Sequence, residues 1–74
     1  MKIVFDPSAD SAYVELSKAE GPVETYELPD GPGRNRIWLD FDETGRLVGI
    51  EVLNASHFLP PHLLATAGQN AAEK

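Results

Sequence analysis

The chain has 74 residues, 42% hydrophobic and 24% charged, with a formal net charge of −6 and no cysteine. This length makes one domain near the lower limit for independent folding, with a globular rather than a disordered composition. The missing cysteines exclude disulfides, thiolate metal sites and cysteine nucleophiles, and the acidic balance argues against direct nucleic-acid binding, which relies on Lys and Arg. No apolar run approaches the roughly 18 residues of a membrane span. The opening "MKIVFDPSAD" lacks a secretory h-region, so a cytoplasmic location is expected. A core this small commonly needs further support, and a homodimer, through an edge strand or the helix, is expected to provide it.

In chain order, "KIVF" (Lys2–Phe5) is a short β-rich run stopped by Asp6-Pro7, a turn-favouring pair. "SAYVELS" (Ser11–Ser17) alternates, with Ala12, Val14 and Leu16 on one face and Tyr13 and Glu15 on the other, which predicts a half-buried strand. "VETYEL" (Val23–Leu28) is more polar and lies between two prolines, as suits an edge strand. The loop "PDGPGRN" follows, then "RIWLDFD" (Arg36–Asp42), the turn "ETGR" and "LVGIEVL" (Leu47–Leu53). Capping residues open "NASHFLPPHLLATAG", and the prolines ahead of "HLLATA" predict one helix from about Pro61 to Ala67, stopped by Gly68. Residues 1–68 form the expected domain and 69–74 a flexible tail.

The stretch Asp40–Glu51, "DFDETGRLVGIE", has the lettering of an EF-hand calcium loop, with Asp40, Asp42, Thr44, Gly45 and Glu51 at ligand or turn positions. An EF-hand needs a helix on each side, whereas the flanks here alternate with a period of two. A hairpin explains the same residues. Pairing Phe41 with Val48, Leu39 with Ile50 and Ile37 with Val52 gives one apolar face, and a one-residue slip would destroy it. Gly45 supplies the positive φ of a tight turn.

The hairpin's other face carries Arg36, Trp38, Asp40 and Asp42 opposite Leu53, Glu51, Gly49 and Leu47. Asp40 and Asp42 should point the same way, about 6–7 Å apart. Glu51 lies diagonal to Asp40 and within reach of Arg36. Such a face is either a solvated surface with paired charges or a recognition surface, with Trp38 as anchor and Gly49 leaving a shallow notch. Paired carboxylates occur in glycosidases, but they need a walled pocket that this short chain has little material to build. His57 and His62 lack a helical ligand spacing, and Ser8, Ser11, Ser17 and Ser56 lack a nucleophile context. No catalytic residue, cofactor or metal ligand is assigned.

Two motifs carry a family resemblance. "KIVFDPSADSAYVELS" supplies Lys2, Ile3, Phe5, Asp6, Asp10, Tyr13, Val14 and Leu16. "WLDFDETGRLVGIEVLNAS" supplies Asp40, Asp42, Gly45, Leu47, Val48, Gly49, Ile50, Glu51 and Val52. Together they resemble the bacterial domain-of-unknown-function 2283 family over about residues 1–56. The resemblance implies a stand-alone, β-rich domain without an assigned activity, and some members resemble the partner half of toxin–antitoxin-like pairs. Asp6 and Asp10 bracket a turn whose backbone N–H groups they can satisfy.

The resulting expectation is a small α+β domain, an antiparallel β-sheet of four to five strands with one C-terminal helix packed on one face. Ile3, Phe5, Val14, Leu16, Ile37, Leu39, Phe41, Val48, Ile50 and Val52 form its core with Leu63 and Leu64, while Val4 faces away. Functionally, a non-enzymatic protein-interaction module is expected, the antitoxin-like partner of a small basic protein. Its candidate surface comprises Trp38, Asp40, Asp42, Glu51, Arg36, Tyr13, Asp6 and Asp10. The alternative is a small ligand- or metal-binding domain using Asp6, Asp10, Asp40, Asp42 and Glu51.

Overall fold

The alternating segments become five strands. In the computed structural model, which describes residues 1–72, they are β1 (Lys2–Asp6), β2 (Ser11–Glu15), β3 (Glu24–Glu27), β4 (Ile37–Phe41) and β5 (Leu47–Leu53). Two helices follow, α1 (Ala55–Phe58) and α2 (Pro61–Ala72). The strands make one antiparallel sheet in the order β1-β2-β5-β4-β3. Hairpins β1–β2 and β4–β5 are the local units, and β2 against β5 joins them. β3 takes an edge with all four residues exposed, as its polar sequence predicts.

Strand pairing aligns Ile3, Val14, Ile50 and Leu39 in one row and Phe5, Ala12, Val52 and Ile37 in the next. Both rows face the helices. Leu63 and Ala67 of α2 pack with Ile3 and Val14, while Ala55 of α1 packs with Ala12 and Val52, supported by Phe58, Leu59 and Leu64. Ile3 and Val52 are the largest fully buried side chains. Burying an aliphatic side chain of that kind contributes about 1.5–3 kcal/mol. Val4 pairs with Tyr13 on the opposite face, where its place between Ile3 and Phe5 puts it.

The hairpin register departs from expectation at its turn. Ile37 pairs with Val52 and Leu39 with Ile50, but Phe41 pairs with Leu47 instead of Val48. A bulge absorbs the slip, because it lets one strand carry an extra residue. Val48 is that residue: its side chain is buried, and its carbonyl accepts the N–H groups of Leu16 and Ser17. Asp42 consequently meets Arg46, donating its N–H to that carbonyl, and not Leu47. Leu16 is not a core residue. It lies past the end of β2, is 38% exposed and belongs to neither apolar cluster.

The helical end also differs. α1 precedes the expected helix, and α2 starts at Pro61 but runs past Gly68 to Ala72. An interior glycine costs about 1 kcal/mol against alanine, too little to end a helix anchored by a fully buried Ala67. Of the expected tail, residues 69–72 continue α2, and 73–74 lie outside the described residues. Among the described residues, no helix is long and apolar enough to cross a membrane.

Candidate functional site: the open face of the sheet

Asp42 resolves the calcium-loop lettering. Its Oδ1 accepts the Thr44 N–H at 2.9 Å, the Thr44 hydroxyl at 2.6 Å and the Arg46 N–H at 3.3 Å. Its Oδ2 accepts the Glu20 N–H at 3.1 Å. The carboxylate therefore builds the β4–β5 turn, with Gly45 at φ 85°, and ties down the loop that leaves β2. That loop must pass β5 and β4, three strand spacings or about 14 Å, to reach β3. A return bond from the Glu43 N–H to the Glu20 carbonyl completes the tie. Led by the Thr44 hydroxyl and then the Glu20 N–H, these donors hold the Asp42 carboxyl at about 2, below its ordinary 3.8.

The other motif aspartates are local fasteners too. Asp6 Oδ1 accepts the Ser8 N–H at 3.0 Å, the Ser8 hydroxyl at 2.8 Å and the Ala9 N–H at 3.4 Å, closing the β1–β2 turn. The Ser8 hydroxyl first, then the Ala9 N–H, lower its pKa. Asp10 works at long range. It sits at φ 51°, and its carboxylate accepts the Ser56 N–H at 3.0 Å and the Ser56 hydroxyl at 2.8 Å, while its carbonyl takes the Ala55 N–H. Asn54, the residue before α1, provides no side-chain cap, so Asp10 satisfies the helix start from the first hairpin. Asp10→Ala should lose about 1–2 kcal/mol of stability, from the cap and the left-handed backbone together. Asp10→Asn should lose less, because asparagine tolerates that backbone; urea denaturation compares the two.

Tyr13 and Asp40 meet across the middle of the sheet. The Tyr13 hydroxyl donates to Asp40 Oδ2 at 2.7 Å, and the Thr25 hydroxyl donates to Oδ1 at 2.6 Å. The contact runs from β2 over β5 to β4 and on to β3. It is possible because Gly49, opposite Asp40 on β5, has no side chain: a Cβ there would collide with the Tyr13 hydroxyl and ring. The expected notch at Gly49 is thus filled by Tyr13. The bond to Asp40, then burial, then the Asp40 charge push the Tyr13 hydroxyl up to about 12. A raised pKa means that this stabilisation is complete below the unfolded value of 10 and is lost as pH rises through about 12.

The candidate residues thus separate. Asp6, Asp10, Asp42 and the bonded Tyr13–Asp40 pair hold the fold at separate places, and Asp40 and Asp42 accept from different donors. Among the described residues, no three His, Asp or Glu side chains gather as a metal-binding group. Arg36 does not reach Glu51; it donates to its neighbour's carbonyl, that of Asn35, and lines a polar recess with Arg34, Asn54 and His57. Trp38 and Glu51 remain. They face each other in a row that crosses all five strands: Val4, Tyr13, Glu51, Trp38, Glu27. Trp38 is half-buried, whereas Glu51 and Glu27 are exposed, and their carboxylates have no hydrogen-bonding or ionic partner among the described residues. Sequence reasoning missed Glu27, because nothing local shows that β3 lies beside β4.

The family model described as "Protein of unknown function (DUF2283)" matches residues 2–56. That span contains all five strands and ends on Ser56, the residue that Asp10 caps. No curated protein and no solved structure matches the chain. With most of its length matched, including every strand and fastening aspartate described above, the chain belongs to the DUF2283 family of proteins of unknown function.

Proposed function

We propose that the protein is a non-enzymatic interaction module that binds a small basic protein through the open face of its sheet. The observation that carries this reading is Trp38 standing between Glu51 and Glu27, two carboxylates without hydrogen-bonding or ionic partners among the described residues. Directly opposed residues on neighbouring strands lie about 4.5–5.5 Å apart, so both acids border the indole. A Lys or Arg side chain entering there meets an aromatic face and a carboxylate on either side. Cation–π contact adds about 0.5–1 kcal/mol at an exposed site, and Trp is its best acceptor. Val4, Tyr13 and Leu53 extend the face with half-buried apolar surface.

On this reading the chain is the acidic, antitoxin-like half of a pair, and its net charge of −6 speeds encounter with a basic protein. The test is affinity capture with tagged wild type, Trp38→Ala and Glu51→Lys. Wild type should retain a basic protein that both variants lose, with unchanged circular dichroism in each. A basic partner retained equally by all three, or none retained by wild type, contradicts the reading. Sedimentation of the same samples measures the homodimer expected from the small core.

A further inference from the structure

We infer that the outer edge of β3 takes up an extended, cationic segment of another protein as a sixth strand. The inference rests on the interaction-module reading and locates the partner's backbone. The Leu28 N–H donates to the Ile37 carbonyl, which makes Leu28 and Ile37 a hydrogen-bonded pair. Antiparallel ladders alternate, so Tyr26 and Glu24 also turn their backbone groups toward β4. Thr25 and Glu27 therefore turn their N–H and C=O groups outward, at an edge where, among the described residues, β3 has no neighbouring strand. An unpaired edge of this kind is a template for another chain.

Beside that edge, on the helix-facing side, lies an open groove of about 680 Å3. Tyr26 and Phe41, in edge-to-face contact with ring centroids 5.7 Å apart, line it with Pro22, and Glu24 and Glu43 supply carboxylates. The helices do not cover this part of the face: Tyr26, 52% exposed, and Phe41 lie outside both apolar clusters.

Charge selects the occupant. β3 contributes Glu24 to one face and Glu27 to the other, so an added strand meets an acid on both sides. A second copy of this chain would bring its own Glu24, Glu27 and net charge of −6 to the same edge. A strand with Lys or Arg opposite Glu24 and Glu27, and an apolar residue opposite Tyr26, matches the edge position by position. Its residue opposite Glu27 shares a face with Trp38, which connects the edge to the cation site proposed above.

The amidated peptide Thr-Lys-Val-Thr-Arg-Thr has this pattern when it runs antiparallel to β3. In 15N NMR of the full chain, it should produce saturable shifts concentrated at Glu24–Glu27. Exchanging its Lys and Arg for Glu should abolish them. N-methylation of the Lys and the central Thr, which lie opposite Glu27 and Thr25, should weaken binding about tenfold or more, since these amides supply the strand's hydrogen bonds. A chain carrying both Glu24→Lys and Glu27→Lys, at exposed positions, should instead bind the acidic peptide. Absence of saturable shifts at β3 overturns the inference. So do concentration-dependent β3 shifts without peptide, which would place a second copy there. Unchanged affinity after N-methylation also overturns strand addition, while leaving the Trp38 site standing.

Discussion

Gly49→Ala is expected to remove about 2–4 kcal/mol of stability, from overpacking and a broken hydrogen bond to a charged group. Local propensity predicts the opposite sign, because alanine at an ordinary strand position is favoured over glycine by about 0.5–1 kcal/mol. The structure reverses it: the new methyl would occupy the space of the Tyr13 hydroxyl and ring, forcing Tyr13 off Asp40. For a domain of this size, the loss amounts to a Tm decrease of roughly 10 °C or more. Tyr13→Phe keeps the ring and loses only the bond, so its cost should be smaller, at the low end of the roughly 1.5–3 kcal/mol of a bond to a charged group. The decisive comparison is Gly49→Ala made in a Tyr13→Ala chain. There the added methyl should cost little, because its obstacle is gone; additive losses would mean that Gly49 serves something other than Tyr13.

Asp42→Ala should be the second large effect, lowering Tm by several degrees, because four donors lose one acceptor and the β2–β3 loop loses its tie to the turn. Asp42→Asn should recover part of the loss, since a neutral amide oxygen still serves some of those donors. The pH dependence follows from the depressed pKa. The unfolded chain takes up its proton near 3.8 and the folded chain near 2, so Asp42 stabilises the fold above pH 3.8. That contribution is lost as pH falls through about 2. Urea denaturation from pH 5 to pH 2 should therefore show wild type losing its advantage over Asp42→Asn across this window. A constant difference between the two would detach the turn's stability from this carboxylate.

The strands, the edge position of β3 and most of the β4–β5 register are legible in the sequence because they rest on alternation, which one face of a sheet imposes directly. The rejection of an EF-hand has the same basis, since Ile37, Leu39 and Phe41 cannot line one side of a helix. The bulge at Val48 was hidden, because it depends on the Val48 carbonyl meeting Leu16 and Ser17, and that requires β2 beside β5. The pairing of β2 with β5 also conceals the role of Gly49. Placing Gly49 opposite Asp40 is possible from the hairpin alone, but the ring above it comes from another hairpin. α1 went unseen for a related reason: a four-residue helix has almost no periodicity, and its cap lies 46 positions away in Asp10.

The acids of the candidate surface are legible in the sequence, but the bonds that occupy most of them are not. Acidic residues in a row invite a functional reading, yet Asp6, Asp10, Asp40 and Asp42 each accept hydrogen bonds that fix a turn, a helix start, a cross-sheet contact or a loop. Side chains committed in this way are poor candidates for binding. The uncommitted carboxylates of Glu51 and Glu27 are the better ones; the hairpin pattern already sets Glu51 opposite Trp38, but only the β3–β4 pairing puts Glu27 on its other side.

The fastening role of the motif aspartates is tested most directly by following the side-chain carboxyl 13C signal of Asp42 from pH 1.5 to 7, with and without millimolar calcium. A midpoint near 2 that calcium leaves unmoved is the predicted result. A midpoint in the ordinary range near 4, or one displaced by the cation, would show that this carboxyl is open to solvent and ions, and that the turn is held by other means.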